Sequence, residues 1–188
     1  MEATTEANEP DAKRDQTLLV LLAQSGDRLA LEELLRDAYA PLRRYIRGLA
    51  GADLADDILQ ETSLQIFRKL EFLREPAVFR AWTFRIASRI AFSHLKNARR
   101  WDPLDDAPLE LFTVHNLNLG EPPDEIFLTL LDHVSPASRA MLLLRYHHDL
   151  TLEESAAILE IPIGTAKSRL HYGVTTLRKY LTPERNPA

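Results

Sequence analysis

Apolar residues along this chain recur every three or four positions and almost nowhere alternate, so the pattern predicts helices and carries almost no strand signal. Between about Asp53 and Leu73, residues Ile58, Thr62, Ile66, Leu70 and Leu73 share one face, with Leu59 at its edge. A second long helix is expected from Val78 to Arg100, with Phe79, Trp82, Ile86 and Ile90 facing the core. Near the C-terminus a short helix spans Thr151 to Glu160. After the turn Ile161-Pro162-Ile163, a longer one begins near Gly164 and packs through Ala166, Leu170, Val174, Leu177 and Leu181.

The punctuation agrees with this pattern. Gly26-Asp27 suits a left-handed stop followed by a new cap, since Asp can accept the free N–H groups of the next helix. A loop containing Gly48 and Gly51 is expected before the Asp53 helix. Asp124 and Ser135 are candidate caps, the latter followed by Pro136 at the first helical position. Thr151 and Glu154 have capping-box spacing. Residues 102–122 hold prolines, a glycine and little periodicity, too long a stretch for a loop inside one compact domain. The expected fold is therefore all-α: two small helical domains joined by a flexible acidic linker, the second containing a helix-turn-helix. The boundaries are a disordered tail at 1–15, an N-terminal domain at 16–101, the linker at 102–122, a C-terminal domain at 123–182 and a short tail at 183–188.

Composition narrows the chemistry. The 188 residues contain no cysteine, which excludes disulfides, thiolate metal sites and cysteine nucleophiles. No apolar run approaches the roughly 20 residues of a bilayer span. The polar, acidic N-terminus does not read as a signal peptide. A cytoplasmic protein without membrane insertion is expected, with no cofactor. The six histidines show no metal-ligand pair at helical spacing, and the adjacent His147 and His148 face different ways, so nothing points to an enzyme.

Net charge is −5, yet the charges are segregated. From Pro76 to Trp101 there is no acid, only Arg80, Arg85, Arg89, Lys96, Arg99 and Arg100. Residues 101–138 carry acids and neither Lys nor Arg. From Ile161 to Leu181 the balance is basic again. Two local positive fields can therefore exist under a negative total.

Three faces follow. Asp57, Gln60, Glu61, Leu64 and Phe67 lie opposite the core stripe of their helix, either as a solvated face or as a docking surface for a basic partner. On the next helix Arg85, Arg89, Phe92, Lys96 and Arg99 form a stripe without an acid, so its repulsion is unrelieved unless an anion arrives. Cations can track phosphates while the ring stacks on an unpaired base, as a single strand requires. At the start of the last helix Lys167, Ser168, His171 and Tyr172 are expected to face outward. Lys and Ser can meet base edges there, and Thr165 or Arg169 can hold phosphates. That arrangement fits a helix-turn-helix, or an ordinary helical hairpin.

At these residues the chain resembles the extracytoplasmic-function sigma factors of bacterial RNA polymerase, over nearly all of residues 17–181. "AQSGDRLALEELLRDAYAPLRRYI" looks like the family's opening helices and "ADDILQETSLQIFRKL" like its core-polymerase-binding helix. "FRAWTFRIASRIAFSHLKNARR" resembles the promoter-melting helix, and "TLEESAAILEIPIGTAKSRLHYG" the helix-turn-helix that reads the upstream element. The resemblance implies that Asp57, Gln60, Glu61, Ser63 and Phe67 dock on core polymerase. It implies that Arg85, Arg89, Phe92 and Lys96 meet the displaced strand, and that Lys167, Ser168, His171 and Tyr172 meet promoter duplex. An anti-sigma factor is implied as a further partner. Arg89 stands where the family usually has Asn, Ser93 where Asp is common, and Tyr172-Gly173 where Arg-Ala is usual. The alternative from another class is a stand-alone helix-turn-helix transcriptional regulator. Phosphorylation of Thr62 or Ser63 would add charge to the docking helix.

Overall fold

The structure, a computed structural model, describes residues 9–98 and 124–181. The expected linker at 102–122, Arg99 and the C-terminal tail lie outside the described residues. Among those described, helices and turns account for the chain and no strand occurs.

Helix α1 (Glu9–Gln24) begins inside the stretch expected to be a disordered tail. Ala12, Lys13 and Arg14 favour helix, and Pro10 is tolerated because a first-turn N–H has no intrahelical acceptor. Gly26 then takes a left-handed φ of 98°. Asp27 caps α2 (Arg28–Ala50), its Oδ1 accepting from the Leu29 and Ala30 N–H groups at 2.9 and 3.2 Å. Gly48 is not in a loop, as its residue type suggested; it lies within α2, and only Gly51, at φ 91°, breaks the chain before α3 (Ala52–Lys69).

α3 stops earlier than the Leu73 expected, tightening into a 3₁₀ turn at Leu70–Phe72. Gln24 explains how the turn is held. Its side-chain amide donates to the Leu70 and Leu73 carbonyls at 2.9 and 2.8 Å, tying the end of α1 to this turn. α4 (Phe79–Asn97) follows a second 3₁₀ turn at Pro76–Val78. Ile58, Thr62, Ile66, Leu70 and Leu73 are all buried, as their period required. Phe79, Ile86 and Ile90 are buried too, and Trp82 is half-buried. Thr62 is fully buried with its hydroxyl donating to the Ile58 carbonyl, so phosphorylation there has no access.

In the second half, α5 (Asp124–Leu130) leads through a 3₁₀ turn to α6 (Pro136–Leu142), capped by Ser135. A π-helical turn at Leu143–His147 ends in Asp149 at φ 53°. α7 (Leu152–Leu159) starts with the full capping box: Thr151 N–H donates to Glu154 Oε2 at 2.7 Å, and Glu154 N–H to Thr151 Oγ1 at 3.1 Å. α8 (Ile163–Leu181) buries Ala166, Leu170, Val174 and Leu177.

The two halves share one apolar core. Gly48 on α2 leaves room for Leu143: a Cβ at that position would lie 2.8 Å from a Leu143 methyl. Gly173 on α8 does the same for Leu142, again at 2.8 Å. The helix propensity lost at Gly173 (~1 kcal/mol) therefore allows close packing of α6 on α8. His148, 3% exposed, inserts between the halves, its ring 4.7 Å from that of Phe84 and 5.9 Å from that of Tyr45. Tyr45 is fully buried, its hydroxyl 2.7 Å from Ser88 Oγ, and burial raises its pKa so the phenol stays protonated.

Candidate nucleic-acid interface

The core stripe of α3 turns Asp57, Gln60, Glu61, Leu64 and Phe67 outward together. Leu64 and Phe67 are 44% and 58% exposed, an apolar pair rimmed by carboxylates and left uncovered among the described residues. Ser63 differs. It is half-buried, and its hydroxyl donates to the Leu59 carbonyl at 2.9 Å, so it lies at the edge of this face. Glu61 also ties α3 to α4: His94 Nε2 donates to its Oε2 at 2.9 Å, a direction set by the carboxylate, which accepts.

On α4 the expected stripe exists but is not open along its length. Lys96 is exposed and Phe92 half-buried. Arg85 is half-buried and lines a cleft of about 770 Å³ between α4 and α7, where its Nη2 donates to the Ala157 carbonyl at 3.2 Å. Arg89 grips Glu160 with Nη2 at 2.6 and 2.7 Å from the two carboxylate oxygens and Nε at 3.0 Å. Nearer the start of α4, Arg80 donates to the His148 carbonyl at 2.7 Å. The basic ridge is thus not inside the fold, since the Arg89 side chain remains 64% exposed, but its N-terminal half faces the second half of the chain.

At the start of α8, Lys167 and Tyr172 are exposed, while Thr165, Arg169 and His171 are half-buried. Ser168 corrects the expectation that it faces outward. It is 9% exposed, and its hydroxyl donates back to the Gly164 carbonyl at 3.1 Å. One step along the helix, Lys167 takes the outer position; a hydroxyl that bonds its own helix gives up little by turning inward. Glu160 was missed altogether. The signal available was Arg89, a cation at a position where the resembling family has a neutral side chain.

Residues 30–101 match sigma-70 region 2 and residues 130–179 match sigma-70 region 4. The RNA polymerase sigma-H factor of Pseudomonas aeruginosa is 30% identical over 185 residues, covering 91% of this chain and 95% of that protein. The chain belongs to the extracytoplasmic-function sigma factors of bacterial RNA polymerase. The ECF RNA polymerase sigma-E factor of Escherichia coli is 26% identical over 81% of this sigma factor and 87% of its own length. In fold it is similar to RpoE, solved with the anti-sigma factor NepR from Bartonella quintana. The TM-score is 0.63 and identity 25%, over 82% of this chain and 98% of that one. The fold is also that of CnrH in its complex with the cytosolic domain of CnrY, at TM-score 0.66 and 20% identity over 89% and 97%.

As a sigma factor it binds core RNA polymerase and directs initiation to particular promoters. A stand-alone regulator, the alternative left by sequence, leaves the region 2 match without a role. Among the described residues no helix is long and apolar enough to cross a membrane.

Proposed function

We propose that the three faces divide the labour of initiation. The α3 face of Asp57, Gln60, Glu61, Leu64 and Phe67, with Ser63 at its edge, docks on core polymerase. Arg85, Arg89, Phe92 and Lys96 on α4, continued by Arg99, hold the displaced strand of the melted start-proximal element. Thr165, Lys167, Arg169, His171 and Tyr172 on α8 meet the upstream duplex, and the buried Ser168 supports the helix rather than a base. Residues 16–101 and 123–182 are the two working domains. The chain supplies binding and positioning in the cytoplasm and no chemistry of its own; bond formation belongs to the polymerase.

The observation that carries this reading is the separation of surfaces. An apolar pair within a carboxylate rim lies on α3, while α4 carries cations and aromatics without one acid between Pro76 and Trp101. Melting costs a few kcal/mol per unstacked step, and contacts made only to separated strands offset it. An anti-sigma factor is the expected regulatory partner, a reading supported by RpoE, which is held by the anti-sigma factor NepR.

Run-off transcription tests the assignment. Core enzyme with this protein initiates at promoters that core alone ignores, and L64D/F67D removes both initiation and co-purification with core. Retention of core binding by that double variant would move the docking site elsewhere.

A further inference from the structure

We propose that Glu160 is an intramolecular stand-in for a DNA phosphate: by occupying Arg89 it holds the helix-turn-helix over α4 and keeps that helix from the melted strand until the closed form is released. This rests on the reading of α4 as the strand-binding helix. The contact has the geometry by which a guanidinium takes a phosphate or carboxylate, with Nη2 and Nε converging on one acidic group at 2.6–3.0 Å. One guanidinium cannot serve both in this way, so strand phosphate and carboxylate compete.

The backbone places Glu160 for this contact. It closes α7 with φ 55° and ψ 43°, in the left-handed region that favours glycine. Its N–H bonds back to Ala156 and Ala157, and its carboxylate reaches across to α4. Beside it, Arg85 takes the Ala157 carbonyl in the last turn of the same helix, the negative end of the peptide dipoles. Arg80 takes the His148 carbonyl. Three successive cations of α4 thus bind acceptors supplied by the second half of the chain. Their closure is backed by Leu143 against Gly48 and by His148 against Phe84 and Tyr45. The outer positions of α8, Lys167 and Tyr172, remain exposed throughout.

The chain has no cysteine, so a single thiol introduced as L143C reports opening through its rate of reaction with a maleimide, however rare the open form. In that background E160Q and R89Q each raise the rate roughly two- to fivefold, the range expected for one exposed ion pair. The exchange R89E/E160R returns it to the parent value. An unchanged rate in E160Q, or a rate in the exchanged pair as fast as in the single variants, overturns the latch.

Occlusion is read separately, with core polymerase and the cysteine-free chain. E160Q speeds open-complex formation by the same factor, and no acceleration overturns the claim that closure excludes DNA. The exchanged pair also isolates the underlying assignment. It closes normally but opens few promoters, because Glu at position 89 repels the strand. Full promoter opening by that variant would sink the strand-binding role of Arg89 while leaving the latch measured by thiol rate intact.

Discussion

The two cationic surfaces of this sigma factor differ in what covers them. On α8, Lys167 and Tyr172 project into solvent, whereas on α4, Arg85 and Arg89 are engaged by Ala157 and Glu160. Under the proposed division of labour, the α8 surface is open to paired DNA as the molecule stands. The Arg85–Arg89 end of the α4 stripe is freed when the halves separate, which suits a group that should act after the duplex has been located. The difference arises from the sharing of one core by both halves, not from the charge of either helix.

The strongest way to break that contrast is to remove the core beneath it. Phe84 is buried, packs edge-on against Tyr45 at 5.4 Å and contacts His148 across the junction. Phe84→Ala should cost about 3–5 kcal/mol in urea denaturation. It should also separate the unfolding of the two halves into a broader, less cooperative transition, because a contact that couples them is gone. A single sharp transition with the same midpoint would show that the junction contributes nothing.

A smaller effect separates the surfaces by substrate. Lys167→Ala should weaken holoenzyme binding to an upstream duplex probe by about 1–3 kcal/mol. Lys96→Ala, on the exposed end of the α4 stripe, should leave that probe unaffected and instead reduce binding to a fork with an unpaired strand. Equal losses on both probes would contradict the division.

Features with a local cause were legible before any coordinates. The stripe from Ile58 to Leu73 has a helical period, Asp27 and Thr151 are caps by type and spacing, and the α3 face is the complement of its own core stripe. What escaped was set by residues far apart in sequence. Gly48 reads as a loop residue until Leu143 is seen against it. Gly173 reads as a weak spot until Leu142 is. Arg89 and Glu160 are 71 positions apart, and nothing in either local pattern chooses the other. Ser168 failed for a different reason: helical phase sets it opposite the Ala166–Leu177 stripe, so the period of α8 alone could not show that it is covered, its hydroxyl donating to the Gly164 carbonyl.

Next in size is the cap of α7, the helix that carries the covering contacts. Thr151→Ala removes the acceptor for Glu154 N–H and breaks the reciprocal pair, at a cost of about 1 kcal/mol. Because α7 both supports α8 and covers α4, the variant should lower duplex affinity while raising thiol reactivity at position 143. Movement of only one readout would mean that α7 serves one surface alone.

The smallest effect is a pH dependence, and it acts on the junction itself. Burial first, then the charges of His147, Arg80 and Arg44, push the His148 pKa down from 6.5 to about 3. Around the ring stand Tyr45 from α2 and Phe84 from α4, neither of which can stabilise an imidazolium by ion pairing. The closed protein therefore keeps His148 neutral, while an opened or unfolded chain takes up the proton. The stability due to this group is complete above about pH 6.5 and declines as pH falls through the window down to about 3. The loss already amounts to roughly 1 kcal/mol at about pH 6. Urea midpoints at that pH and at about pH 7.5 should differ by this increment more in the parent than in His148→Gln, whose amide does not titrate. An identical difference in both proteins would place the proton uptake on another histidine and leave the junction insensitive to acid.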